Sequence, residues 1–385
     1  MVRTLQMVLL VLIVMMMSAC TTKKSALIPN SQQITTEMLL ESSPLLEGAS
    51  PVDLSQVDVL ELSPEMIEFM DRWVDRNQGD YARLRRLLYA VMGDGTFELV
   101  YDDKTRTAQE TFVDQRGNCL SFTSMFVAMA RYIGLDADYQ EVTIPPDWSI
   151  SGQTFILSKH VNVYVKIDSR RDQMIDFNMA DFRISYDRQV VSDKRGRAHY
   201  FNNMGVEFML EGDVSLAFAN FLESLKEDDS FTPAWVNLGI LYSRQDYPTY
   251  AEAAYLRALK SSDTSLVAMN NLAAIYDRQG RKELAAHYQG LIESHRMRNP
   301  YYRYHLARNA FEEKDFTTAI EHLNFAIRKN KNDDNFYFLL SLSYLNIGEK
   351  ELAQKWMKKA EQVAEMSTDK KRYHNKLDLL MSNSD

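Results

Sequence analysis

Cysteine is nearly absent: two residues in 385, Cys20 and Cys119. Cys20 closes an apolar N-terminal leader, so once that leader is set aside the fold is left with Cys119 alone. A single thiol cannot form an intramolecular disulfide. In an oxidising compartment it is a liability unless it is buried or used. Positive charge is also short, with 44 Lys and Arg against 53 Asp and Glu and a formal net charge of −9. That balance argues against nucleic acid as a partner, which wants a basic face. Metal ligands are equally scarce. Of the 7 histidines, His160 alone precedes the repeats described below, with His199 at their boundary. One cysteine and one well-placed histidine are too few ligands for a metal site, and no cofactor is expected. The one long apolar run, Leu5 to Met17 with Gln6 as its break, is too short for a comfortable transmembrane helix.

That run reads as a secretory signal. Met1-Val2-Arg3-Thr4 supplies one positive charge, and Ser18-Ala19-Cys20 supplies small residues at a cleavage point. Met17-Ser18-Ala19-Cys20 also resembles the bacterial lipobox, with methionine at the usual leucine position. The resemblance implies that Cys20 becomes the lipidated first residue of a mature lipoprotein anchored in the cell envelope. Thr21 in place of aspartate implies the outer membrane, facing the periplasm. An ordinary signal peptide cleaved nearby is the other reading. Residues 21–50, rich in Ser, Thr, Gln and Pro, then read as a flexible tether.

The C-terminal half repeats with a period of 34. Small residues recur at Gly205, Gly239, Ala273, Ala307 and Ser341, each preceded by Met204, Leu238, Leu272, Leu306 or Leu340. Twelve residues after each small residue lies an alanine: Ala217, Ala251, Ala285, Ala319 and Ala353. Aromatics follow the small residue at Phe208, Tyr242, Tyr276 and Tyr344, with Ala310 breaking the series. This is the tetratricopeptide pattern, which predicts five helical pairs over 198–363 and a capping helix and tail over 364–385. Small residues let paired helices approach, and each pair buries its apolar face only against its neighbours. Resemblance to that family implies a groove binding extended or helical peptides. Its lining in units four and five would include Tyr301, Tyr304, Arg308, Phe311 and Phe338, an aromatic and apolar surface with one guanidinium. Packing of some of these residues against the capping helix or the N-terminal domain is the alternative.

Residues 51–197 carry mixed patterns. Met66–Trp73, Tyr81–Met92 and Thr107–Val113 read as helices, with Asp80 as a candidate cap for the second. Arg116-Gly117-Asn118-Cys119 forms a short loop, and Phe122, Met125, Phe126, Met129, Ala130, Tyr132 and Ile133 trace the apolar face of the helix that follows, stopped by Gly134. Strand-like stretches come next: Ala137–Ile144, His160–Ile167 and Gln173–Asn178. Helices followed by short strands predict an α+β domain. Cys119 at the helix start faces the positive end of the macrodipole, which favours thiolate.

Three segments together resemble the core of the transglutaminase-like superfamily, a papain-like α+β fold. They are Thr107–Phe112, Arg116–Phe122 and Met129-Ala130-Arg131-Tyr132-Ile133-Gly134-Leu135. Lys159-His160-Val161-Asn162-Val163-Tyr164-Val165 matches the family's histidine-bearing strand, with Asn162 where a tryptophan is usual. Met174-Ile175-Asp176-Phe177 matches the aspartate strand. The resemblance implies Cys119 as nucleophile, His160 as general base and Asp176 as its orienting carboxylate. Such a site acts on peptide or protein amides, with hydrolysis favoured over cross-linking. Pro145–Trp148 would form a loop at the cleft mouth, and Gln109 and Gln115 are upstream candidates for a second oxyanion donor. The competing reading is a non-catalytic assembly lipoprotein that works through its repeats. Retention of all three residues argues against it. An enzyme acting on peptidoglycan stem peptides is a third reading, motivated by the envelope location alone.

Overall fold

A computed structural model of the chain describes residues 30–41, 43–93, 97–143, 159–167, 172–177, 186–262, 264–364 and 367–382. The leader with Cys20 and the Pro145–Trp148 loop lie outside these residues. The chain divides into two compact units: residues 1–57 with 194–292, and residues 58–193 with 293–385.

The first described stretch is not a tether. Residues 30–33 and 44–46 form single 3₁₀ turns on either side of a short helix, α1 (Thr36–Leu40), whose first turn is capped by the Thr35 side chain.

Residues 58–193 build the α+β domain. Helix α2 (Pro64–Trp73) starts on Ser63, whose Oγ accepts the Met66 amide. In α3 (Asp80–Met92) the N-cap is Gly79. Asp80, expected as the cap, is the first helical residue and instead pairs with Arg83. Strand β1 (Val100–Tyr101) pairs in parallel with β2 (Arg116–Gly117), and between them α4 (Ala108–Asp114) begins at a capping box formed by Thr107 and Glu110. Helix α5 (Cys119–Tyr132) follows at once and stops at Gly134, whose φ of +81° suits glycine. Strands β3 (Asp136–Thr143), β4 (Lys159–Lys166), β5 (Asp172–Ile175) and β6 (Arg188–Val191) form an antiparallel sheet in the order β5-β4-β3-β6.

Helix α5 is the core of this domain. Every residue from Leu120 to Ala130 is buried, as expected of a helix covered on all sides. Two polar contacts fix it on the sheet: Thr123 Oγ1 donates to the Val161 carbonyl at 3.1 Å, and Tyr139 Oη donates to Ser124 Oγ at 3.0 Å. At its far end the Arg131 guanidinium bridges Asp138 and Asp193.

From Asp193 on the chain is helical. Five antiparallel pairs follow: α6 (Asp193–Glu211) with α7 (Val214–Glu227), α8 (Thr232–Arg244) with α9 (Pro248–Ser261), α10 (Leu266–Arg278) with α11 (Lys282–Arg298), α12 (Pro300–Glu312) with α13 (Phe316–Lys329), and α14 (Asp334–Asn346) with α15 (Lys350–Val363). A last helix, α16 (Ser367–Ser382), covers the fifth pair through Tyr373. The reason for the small residues is steric. A Cβ on Gly205 would come within 2.5 Å of the Phe221 ring, and one on Gly239 within 2.5 Å of the Tyr255 ring. No helix among the described residues is long and apolar enough to cross a membrane.

In the first unit, residues 30–46 pack on the repeats. Leu39 (0% exposed) and Leu46 join the core formed by Phe218, Phe221, Tyr242 and Tyr255. Tyr242 Oη donates to the Leu39 carbonyl at 2.6 Å and lies 2.8 Å from Ser43 Oγ. The flexible-tether reading of 21–50 therefore fails from residue 30 onward. Apolar side chains spaced too irregularly for a sequence period still find a common buried surface on the preformed helix pairs.

Candidate active site

Cys119 is the first residue of α5 and remains partly exposed, while Leu120–Ala130 after it are buried. Its position is fixed from upstream. Asn118 is the N-cap: its Oδ1 accepts the Ser121 amide at 3.0 Å, and its Nδ2 donates to Thr105 Oγ1 at 2.8 Å. Ser121 Oγ in turn accepts the Arg106 amide at 2.9 Å. Gly117 lets the strand pass over this turn, since a Cβ there would sit 2.6 Å from Ser121 Cβ.

His160 lies near the start of β4, and Asp176 one residue beyond the end of β5. The aspartate thus stands at a strand terminus and not within the strand. Both side chains are buried. His160 Nε2–H donates to Asp176, with 2.8 Å to Oδ1 and 2.7 Å to Oδ2. Nδ1 is the ring nitrogen that the carboxylate leaves unengaged, and Cys119 is among the groups that act on the imidazole. Burial opposes the imidazolium, but hydrogen bonds with Asp176 and Cys119 and their charges outweigh it, and the pKa of His160 is raised to about 9.

One site residue escaped the sequence reading. Asn162 lies two positions after His160, so the two side chains share a face of β4. Its Nδ2 donates to Asp176 Oδ2 at 3.0 Å. The carboxylate is therefore held by two donors from one strand. The family-typical tryptophan at this position drew attention to the departure, while period-2 alternation was the signal for its role. Gln109 and Gln115, the upstream oxyanion candidates, are exposed on α4 and at its C-terminal cap. No cluster of three or more His, Cys, Asp or Glu that could hold a metal occurs among the described residues.

The repeat residues take separate positions. Tyr301 and Tyr304 are half-buried against Phe336, with ring centroids 5.6 and 5.2 Å away. Tyr301 Oη accepts from Asn330 at 2.9 Å. Burial first, then the charges of Asp333, Tyr186 and Asp187, push its phenol pKa up. Phe311 packs on Phe316, and Arg308 is half-exposed with Glu312 at 4.0 Å. Phe338 belongs to a different surface: it packs on Tyr373 of α16 at 5.0 Å, with Lys376 and Arg372 over its ring.

These features define an α+β domain with a cysteine, histidine and carboxylate, followed in the chain by a series of helical pairs. Residues 67–173 match the family model described as the transglutaminase-like superfamily, and residues 334–365 match that of the tetratricopeptide repeat. The two matched segments are consistent with a fusion of a transglutaminase-like core domain and tetratricopeptide repeats. Among solved structures it is similar to Pseudomonas aeruginosa pilF, at 18% identity over 50% of this chain and 87% of that one, with a TM-score of 0.27. It is also similar to MamA from Desulfovibrio magneticus RS-1, at 14% identity over 45% and 96% of the two chains, with a TM-score of 0.25. A third is YrrB, described as a TPR protein with an unusual peptide-binding site, at 14% identity over 45% and 89%, with a TM-score of 0.24. No curated protein matches the chain.

Proposed function

We propose that the α+β domain is a thiol acyl-transfer enzyme acting on peptide or protein amides, hydrolysis being its main outcome, and that the repeats bind a protein substrate or partner. The observation that carries this reading is the buried Asp176 carboxylate on His160 Nε2, with Cys119 among the groups that act on the imidazole. A Cys119 sulfur attacking the amide carbon forms an S–C bond. His160 delivers the proton it holds to the amine as the C–N bond breaks. Water then attacks the thioester, giving a carboxylic acid and restoring the thiol, with His160 as base. The Cys119 amide at the start of α5 points its N–H toward the developing oxyanion.

Alkylation tests the site without knowledge of the substrate. Iodoacetamide at neutral pH, followed by peptide mass spectrometry of Cys119, is expected to run at least about tenfold faster in the native protein than in His160→Ala, since general-base assistance contributes about 10²–10⁴-fold. Equal rates would move the protein to the non-catalytic, scaffolding reading.

The same proposal places the chain in the bacterial envelope, lipid-anchored through Cys20 and facing the periplasm. The support is the Met17-Ser18-Ala19-Cys20 segment after an apolar run. Expression in a lipoprotein-processing bacterium is expected to yield a membrane-bound form with acylated Cys20, and Cys20→Ser a form without acyl groups. An unacylated native protein refutes the anchor.

A further inference from the structure

A cleft of about 450 Å³ is lined chiefly by Phe97, Glu98, Leu99, Tyr101, Phe122 and Phe177. Two of these walls come from residues close in sequence to the site residues. Phe122 follows Cys119 by three residues, less than one turn of α5, and Phe177 follows Asp176 directly. Their rings meet at 5.7 Å, so the cleft floor is tied to both the nucleophile helix and the carboxylate strand. The opposite wall comes from the segment after α3, where Phe97 is buried against Phe112 at a centroid distance of 5.1 Å. The lining is four aromatic rings and aliphatic side chains, with one carboxylate, Glu98, and no basic residue.

Resting on the thiol acyl-transfer reading, we infer that this cleft is a substrate subsite for an amphipathic cationic side chain, a lysine- or arginine-like group with an apolar stem and a positive end. Aromatic faces attract cations through their quadrupole, and their bodies cover the alkyl stem. Glu98 supplies the complementary charge at the exposed edge. A carboxylate-bearing side chain meets the same rings without a counter-ion and the Glu98 charge as a repulsion, which gives the cleft discrimination as well as affinity. The volume is in the range of small-ligand pockets and takes one long side chain with water at its end.

Peptidyl vinyl sulfones, which trap a nucleophilic thiol, test the assignment on the full chain. Lysine, norleucine or glutamate is placed at the residue next to the warhead, then at its N-terminal neighbour, with alanine elsewhere, and Cys119 labelling is followed by mass spectrometry. At one of the two positions, lysine is expected to label about tenfold faster than norleucine, and norleucine faster than glutamate, from the combined cation–π and surface ion-pair contributions. In Glu98→Gln the lysine-to-norleucine ratio is expected to fall to a few-fold, and in Glu98→Lys glutamate overtakes lysine. Because the comparison is a ratio within each variant, a general loss of reactivity does not mimic it. Equal labelling by all three probes, with iodoacetamide still dependent on His160, overturns the subsite and leaves the enzyme reading standing. Absence of labelling, together with alkylation indifferent to His160, overturns both.

Discussion

Asp176→Asn is expected to abolish turnover nearly completely while leaving the fold intact, with a loss on the order of 10³–10⁴-fold in kcat, the scale seen when a triad carboxylate becomes an amide. The reason lies in the geometry. Asp176 accepts the Nε2 proton of His160 through both oxygens and a second hydrogen bond from Asn162. An asparagine either turns its amide NH₂ toward Nε2, forcing the ring into the tautomer that donates at Nδ1, or loses the hydrogen bond from Asn162. In the first arrangement Nδ1 no longer accepts the thiol proton, and in both the carboxylate charge that stabilises the imidazolium is gone.

The same substitution has a pH signature. His160 titrates at about 9 in the folded protein against 6.5 for the free side chain. A group whose folded pKa is raised binds protons more tightly in the native state, so its stabilisation is fully present below about pH 6.5. It declines between 6.5 and 9 and is gone above. The melting temperature of the native protein is therefore expected to fall as pH rises through 6.5–9, and Asp176→Asn to flatten that part of the profile. A mutant retaining both the slope and the turnover would remove Asp176 from the mechanism. Thermal melts in steps across pH 6–10, paired with Cys119 alkylation rates, separate the electrostatic role from a purely structural one.

How much of this was legible before the structure depends on the kind of signal. The repeats were readable because identical steric requirements recur every 34 residues: Gly205 and Gly239 each face an aromatic sixteen residues on, and the period repeats that constraint. The site residues were readable because their chemistry is rare in this chain. A lone cysteine at a helix start, followed by a histidine and an aspartate, stands out against a background almost free of both thiols and histidines. Pairing details were not readable. Strand β6, four residues long and mostly exposed, has too little apolar content to signal itself, yet its Val190 and Val191 pair with Gln140 and Tyr139 of β3. Likewise the contact of Phe338 with Tyr373 depends on where α16 lands, and repeat position left groove lining and packing on the capping helix both open for that phenylalanine. Asn162 was visible as a departure and silent as to role, because its partner lies on another strand.

Residues 30–46 make the clearest case of tertiary context overriding composition, and Leu39→Asp is expected to show it. Leu39 is fully buried among repeat side chains, and its own carbonyl accepts the Tyr242 hydroxyl. A buried leucine lost to a cavity costs about 2–5 kcal/mol, and a carboxylate without a partner in that space adds to the cost. The charged side chain avoids this only by peeling the segment off. Peeling exposes Tyr242, whose hydroxyl then loses its acceptor, and opens the core strip on Phe218 and Tyr255. Limited proteolysis is expected to cut Leu39→Asp rapidly within residues 30–50, sites the native packing protects. Calorimetry should show the transition of the unit containing residues 194–292 lowered by several degrees. Tyr242→Phe provides the milder comparison: it removes the hydroxyl while keeping the ring, and one hydrogen bond is worth about 1 kcal/mol. If Leu39→Asp melts and digests like the native protein, the segment contributes nothing to the repeats and behaves as the tether its composition suggests. If the destabilisation appears in both variants and in this order, the first two helix pairs owe part of their stability to a strand of chain that precedes the entire α+β domain in sequence.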